Sequence, residues 1–360
     1  MTLLRPLIVA AFLAALALPG TASAQVGQSD FVGIVSVDTF AGDSPYQNAA
    51  FSAQRDLGIG IIRQTFDWAN IELKRGQYDW TYYDAFVQSA ASHGIRVLPI
   101  LFNPPKFRSS KPKKHAQHGT YFPKKNSDLG VFGAEIAKRY GPNGTMWAAR
   151  PDVPKLPIVE YQVWNEPNLK AYSPPKPSAK KYVAMLKAVT PRIRAVDPTA
   201  EIVTAGLPDS RLSKPNLFKF ITQLYQAGAK GKFNDLGINP YATNASSLIK
   251  KLKKIRAIQA RFGDSQSKLW LTEVGWSDVG PKAPFRVGAS GQAQRIKDSI
   301  AAIKANETAL NIRGFFYFSW KDTPVYAGFH DFWGLHTGLL RKNGTAKPAL
   351  EAFRQAVAAL

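Results

Sequence analysis

Three observations predict an α/β fold, a single (β/α)8 TIM barrel with long βα loops. Short apolar strands alternate with longer amphipathic segments eight times along the chain. Two of the strands, 158–166 and 268–273, run directly into a glutamate, Glu166 and Glu273, and the 107-residue step from the first glutamate to the second holds three strand–helix units. No Gly/Ser or Pro linker divides residues 25–360, and a chain of that length suits one barrel with its own core.

The first unit is a strand over 31–37 followed by a helix over 46–57. Strand two, 60–66, carries Arg63 within an apolar run, and a cation there needs a partner because an unpaired buried guanidinium is expensive. Residues 77–91 place Tyr78, Trp80, Tyr83, Phe86 and Val87 at helical spacing, with Thr81 as N-cap and Gly94 as stop. These aromatics read as core. Strand three is 95–102. The segment 103–125 that follows is long, proline-rich and free of acids. In a barrel it borders the active-site end, so Lys106, Arg108, Lys111, Lys113, Lys114, Lys124 and Lys125 are expected to overhang the cleft; a solvated loop is the competing reading.

Residues 127–140 form a helix, and a turn-rich stretch leads to strand four at 158–166, where Ile158, Val159, Tyr161, Val163 and Trp164 supply β-branched and aromatic bulk. Then come a helix over 178–196, strand five over 201–205, a helix over 215–229 and strand six over 233–239, which delivers Asn239, Pro240 and Tyr241 to the rim. The helix 245–262 has an apolar side and a basic side, as an outer barrel helix with a solvated face does. Strand seven is 268–273, the next helix 290–305, strand eight 313–320 and the last helix 347–360. Trp320 is expected as a ligand-stacking platform at the cleft floor, and Tyr326, Phe329, Phe332 and Trp333 as walls.

Composition narrows the setting. Arg5, an apolar run over 7–18 and Ala22-Ser23-Ala24 make residues 1–24 a signal peptide, so export to the periplasm or the extracellular medium is expected. That run is too short to span a bilayer, and no transmembrane segment is expected. The chain has no cysteine, so stability after export has to come from the core. A formal net charge of +22 produces a field that gathers polyanions, anionic polysaccharide among them; a basic surface serving solubility is the alternative. A monomer is expected.

Alone, a strand-end glutamate reads as a surface or capping carboxylate. Two in matched contexts, each beside a tryptophan (Trp164 and Trp276), are what glycosidic hydrolysis by paired carboxylates requires. A partly apolar setting raises a carboxyl pKa into the range of a general acid, aromatic faces suit the C–H faces of sugar rings, and the Asn165 amide can hold a ring hydroxyl.

Trp164-Asn165-Glu166-Pro167-Asn168 and Leu271-Thr272-Glu273-Val274-Gly275-Trp276 resemble the two signatures of clan A glycoside hydrolases, the retaining (β/α)8-barrel glycosidases. With Arg75-Gly76-Gln77-Tyr78-Asp79-Trp80 and Phe332-Trp333-Gly334-Leu335, the chain is most similar to glycoside hydrolase family 39 and its neighbours in family 5. The resemblance implies that Glu166 is the acid/base, that Glu273 is the nucleophile and that Arg63 braces Glu273. It implies also that Tyr241 donates its hydroxyl to Glu273. Clan A relatives often carry His-Pro-Tyr where this chain has Asn239-Pro240-Tyr241; Asn239 can still bond a sugar hydroxyl.

No metal or organic cofactor is called for. A metal-dependent barrel hydrolase fails on inventory, because His93, His115, His118, His330 and His336 include no His-Glu-x-x-His or His-x-His pair. A nucleic-acid partner is permitted by charge but supported by no motif. The rival from another class is a catalytically inactive glycan- or cell-wall-binding barrel.

Overall fold

The computed structural model describes residues 30–325 and 330–360. The expected signal segment, Tyr326 and Phe329 lie outside these residues. Eight parallel strands close into a barrel: β1 (Val32–Val35), β2 (Ile61–Asp67), β3 (Arg96–Phe102), β4 (Glu160–Val163), β5 (Glu201–Thr204), β6 (Asp235–Asn239), β7 (Lys268–Val274) and β8 (Ile312–Phe318). Each pairs with its neighbours in sequence, and β8 pairs with β1 to complete the ring. One helix follows each strand on the outside: α1 (Ser44–Asp56), α2 (Thr81–Ser92), α3 (Asn126–Tyr140), α4 (Ala179–Arg194), α5 (Leu217–Gln226), α6 (Ala245–Arg261), α7 (Gly288–Ala305) and α8 (Pro348–Ala358).

The helices form where pattern and capping agree. In α4, Tyr182, Val183, Leu186, Val189 and Ile193 make one buried stripe, and the Ser178 hydroxyl accepts from Lys181 N. In α6, Leu248, Leu252 and Ile255 face the barrel, Lys250, Lys253 and Lys254 face solvent, and Asn244 caps the Ser247 amide. No helix among the described residues is long and apolar enough to cross a membrane.

One unit departs from the expected boundaries. Gln77–Tyr78 pairs with Glu72–Lys74 as a two-stranded antiparallel hairpin, so the helix begins only at Thr81. Asp79 Oδ1 accepts from Thr81 N at 3.0 Å, which makes Asp79 rather than Thr81 the residue that satisfies the helix start. Tyr83, Phe86 and Val87 are core as expected. A short helix, Thr145–Ala149, also occupies the stretch read as turns.

The barrel interior is layered. At the N-terminal ends of the strands, Arg96 and Arg313 neutralise Asp30, Glu160, Glu201 and Asp235, with Arg313 2.9 Å from Asp235 and Arg96 2.5 Å from Glu160. Arg313 also lies over the Trp270 ring, 4.4 Å from its centroid. Above this sits an apolar layer of Val35, Ile61, Leu98, Val203, Trp270 and Phe316. A larger apolar shell fills the space between strands and helices. The third interior layer, at the C-terminal ends, is polar again.

Candidate functional site

That polar layer begins with Arg63 on β2. It is 3% exposed, and its guanidinium has a carboxylate or amide oxygen at each nitrogen: Nε donates to Gln162 Oε1 (2.7 Å), Nη1 to Glu273 Oε1 (2.8 Å) and Nη2 to Asn165 Oδ1 (2.9 Å). One cation thus ties the ends of β2, β4 and β7 together and meets the partner required of a buried charge. Glu273 receives a second donor from across β6, the Tyr241 hydroxyl, 2.5 Å from Oε2. Burial, with the Glu273 charge next, keeps that phenol protonated by pushing its pKa well up.

Glu166 is presented by an unusual backbone. The chain leaves β4 with Trp164 at φ 73° and Glu166 at φ 44°, left-handed conformations that cost about 1–3 kcal/mol each for residues other than glycine. Packing over-determines the turn: Trp164 is fully buried between Phe102 and Phe122, and its indole N–H donates to Tyr172 O at 2.8 Å. The carboxyl is then held by Asn239 Nδ2 at 2.8 Å from Oε1. Thr272 donates to Asn239 Oδ1 at 2.7 Å, which orients the amide so that its N–H points at Glu166. Gly206 makes the room, since a Cβ there would stand 2.3 Å from Asn239 Oδ1 and 2.6 Å from Thr272 Oγ1. Burial is the main force on the Glu166 proton, the Glu273 charge the second, and together they push its pKa up to about 8 against the smaller opposing pulls of Asn239 and Arg63.

Both carboxyls open into one cavity of about 710 Å³ at the C-terminal ends of β4–β8. Tyr241, Phe285 and Trp333 form one wall, with ring centroids 4.7 to 5.8 Å apart, and Phe318 and the half-exposed Phe332 extend it. The lining also carries polar residues, Asn165, Asp209, Ser210, Arg211, Ser247 and Lys251. Asn165 keeps its NH2 without a partner among the described residues and so available to a ligand.

The structure therefore brings together Glu166, Glu273, Arg63, Asn165, Asn239 and Tyr241, and places two expected residues elsewhere. Trp276 is 1% exposed, packed beneath the cavity with its N–H spent on Ala242 O (2.7 Å), because β7 ends at Val274 and the chain has already turned away. Trp320 is 4% exposed within the core; β8 ends at Phe318, and that ring faces the cavity instead. Asn239 is fully buried with both ends of its amide engaged, so it orients Glu166 rather than meeting a sugar. The seven cations of 103–125 do not line the cavity, which is built from the loops after β4–β8. Arg108 turns inward to Glu72 (2.6 Å) and Asp128 (3.2 Å), and Ser109 bridges to Pro123 to strap that loop down.

Gln162, Thr272, Phe318, Arg211 and Lys251 were not anticipated. For Gln162 a signal existed: a polar side chain at period two inside an apolar strand requires an internal partner. No group of three or more His, Cys, Asp or Glu that could hold a metal ion occurs among the described residues.

No protein-family model matches the chain, and no curated protein matches it in sequence. Its fold is shared with solved structures. A family 39 glycoside hydrolase from the gut symbiont Bacteroides cellulosilyticus WH2 is 19% identical with a TM-score of 0.67, over 92% of this chain and 64% of that one. A family 39 β-xylosidase from Caulobacter crescentus is 18% identical, TM-score 0.66, over 92% of this chain and 71% of that one. A family 39 enzyme from Xanthomonas axonopodis pv. citri is 16% identical, TM-score 0.66, over 93% and 67%. The chain spans about two thirds of the length of these proteins.

Proposed function

We propose that this protein is an exported retaining glycosidase that cleaves β-glycosidic bonds in an oligo- or polysaccharide, anionic glycan in particular, by double displacement. The observation that carries the proposal is the pairing of a carboxyl that keeps its proton with a second carboxyl held by a cation and a phenol, both in one aromatic-walled cavity. The similar structures named as family 39 enzymes, a β-xylosidase among them, support the reaction type.

In the first step a Glu273 oxygen bonds to the anomeric carbon while the glycosidic C–O bond breaks and the leaving oxygen takes the proton of Glu166. Arg63 and Tyr241 aim the attacking oxygen and balance its charge before attack. In the second step Glu166, now ionised, takes a proton from water; the water oxygen bonds to the anomeric carbon and Glu273 leaves. Asn165 is placed to hold a hydroxyl of the reacting sugar, and Phe318 and Trp333 to stack on ring faces. Export rests on the composition of residues 1–24, and the preference for acidic sugars on the net charge and on Arg211 in the cavity wall.

The test is turnover by the parent, Glu166→Gln and Glu273→Gln on a panel of aryl β-glycosides and polysaccharides, with the first-formed anomer read by proton NMR. Both variants should lose at least about a thousand-fold in kcat/KM, and the first product should have the β configuration. An α first product overturns the role assignment. Binding without turnover by the parent leaves the inactive glycan-binding barrel as the function.

A further inference from the structure

A second concavity, a groove of about 980 Å³, lies between the start of α4 and the length of α5, from Ser213 in the loop before α5 to Ala227 just past its end. Its lining contains Lys176, Lys180, Lys214 and Lys219 and no acid. All four lysines are exposed, and none of their ammonium groups has a partner among the described residues. The cap side chains at its edge, Ser178 and Asn216, are already spent on the amides of Lys181 and Lys219, so the lysines carry the charge of the groove.

The same two loops line groove and cavity, through different residues. The loop after β4 lines the cavity with Leu169 and Tyr172 and the groove with Lys176 and Ser178; the loop after β5 lines the cavity with Asp209 and Arg211 and the groove with Ser213 and Lys214. The two loops are stitched together by a bridge between Leu169 and Ser213 and by Asn168 Nδ2, which donates to Pro208 O (2.8 Å) and Ser213 Oγ (3.2 Å). Arg211, in the cavity lining two residues before Ser213 of the groove, is exposed with no side-chain partner among the described residues, whereas the acid there, Asp209, is matched by Lys251 at 3.1 Å. Leaving the cavity on this side, a chain meets uncompensated positive charge first at Arg211 and then at the four lysines of the groove.

We propose that this groove is a distal binding site for a polyanionic glycan, one stretch of which lies in the groove while another occupies the catalytic cavity. The proposal rests on the glycosidase reading for the direction of the chain. A polymer bearing one carboxylate per sugar matches four lysines in an open trough, whose attraction is long-ranged at low salt and screened at high salt. The protein then acts within a polymer held by both sites, and small neutral glycosides do not use the groove.

The experiment compares two proteins, both in a Glu273→Gln background so that no probe is consumed: one otherwise unchanged, the other carrying Lys176→Gln, Lys180→Gln, Lys214→Gln and Lys219→Gln. Retention on polygalacturonate is read by affinity electrophoresis at low and high salt, with dextran as the neutral probe and single-stranded DNA as a second polyanion. The four substitutions should weaken polygalacturonate binding about ten-fold at low salt and leave dextran binding unchanged. In the catalytically intact background, turnover of an aryl glycoside should stay within about two-fold, because none of the four touches the cavity. Undiminished polygalacturonate binding, an equal loss on dextran, or DNA held more tightly than polygalacturonate overturns the proposal. If the parent turns over nothing while the lysine variant still loses polygalacturonate, the groove stands and the hydrolase reading falls.

Discussion

Replacing Glu273 by Gln should lower the pKa of Glu166, and the size of the drop measures how closely the two carboxyls share the cavity. Glu166 is pushed up to about 8, first by burial and second by the Glu273 charge. A retaining pair stands about 5 to 5.5 Å apart, and at an effective dielectric of about 20 two negative charges at that distance repel by about 3 kcal/mol, equivalent to about two pH units. Glu166 in Glu273→Gln should therefore titrate near or below about 6. The Arg63 charge, no longer matched by a carboxylate, pulls in the same direction. The assay is carbon NMR of protein labelled at the glutamate carboxyl, with the Glu166 resonance assigned by its loss in Glu166→Gln. A midpoint that stays within about half a pH unit of 8 would mean that the charges do not sense each other, and the double-displacement reading would fail with it.

The same proton has a consequence for stability. Because the folded-state pKa of Glu166 lies above its ordinary value, its contribution to stability is complete below about pH 4.5 and is lost as pH rises through about 8. Glu166→Gln should then melt a few degrees above the parent at pH 9 and converge with it toward pH 4; a lower melting temperature at pH 9 contradicts the burial argument. Arg63→Met, which strands the buried Glu273 carboxylate, should cost about 3–5 kcal/mol in urea unfolding at pH 7, and a loss under about 1 kcal/mol would show that the guanidinium braces nothing. Phe318→Ala should raise KM about ten-fold and cost less stability than Trp320→Ala, whose loss should be about 3–5 kcal/mol; the reverse pattern would restore Trp320 as the platform.

The barrel was legible because burial on both faces makes its strands continuous apolar runs, and the outer helices carry a clear one-sided stripe. The two glutamates were legible because the runs end on them. Arg63 was legible for a general reason, that a cation inside a strand needs an acid, and Glu273 is that acid. Residues past a strand end were not. Trp276 and Trp320 have the right composition for platforms, yet two or three residues of irregular backbone decide which side chain turns inward, and no periodicity reports that. The basic loop misled for a related reason: length and charge do not say which sector of the rim a loop covers, and this one lies outside the β4–β8 sector where the cavity opens. Asn239 was found as a polar rim residue, but its partner depends on the space left by Gly206 just past the end of the neighbouring strand, a fact of packing alone.

The charged layer beneath the barrel bears on how the chain is made. Glu160, Glu201 and Asp235 come from β4, β5 and β6, but Arg313, the cation that touches all three, arrives only with β8. During synthesis, a nascent chain that has emerged as far as β6 holds three acids that nothing yet offsets there except Arg96 at Glu160. Closing the ring with β8 is therefore also what neutralises its floor, and a fragment ending before residue 313 leaves Glu201 and Asp235 without the cation that pairs with them in the folded barrel.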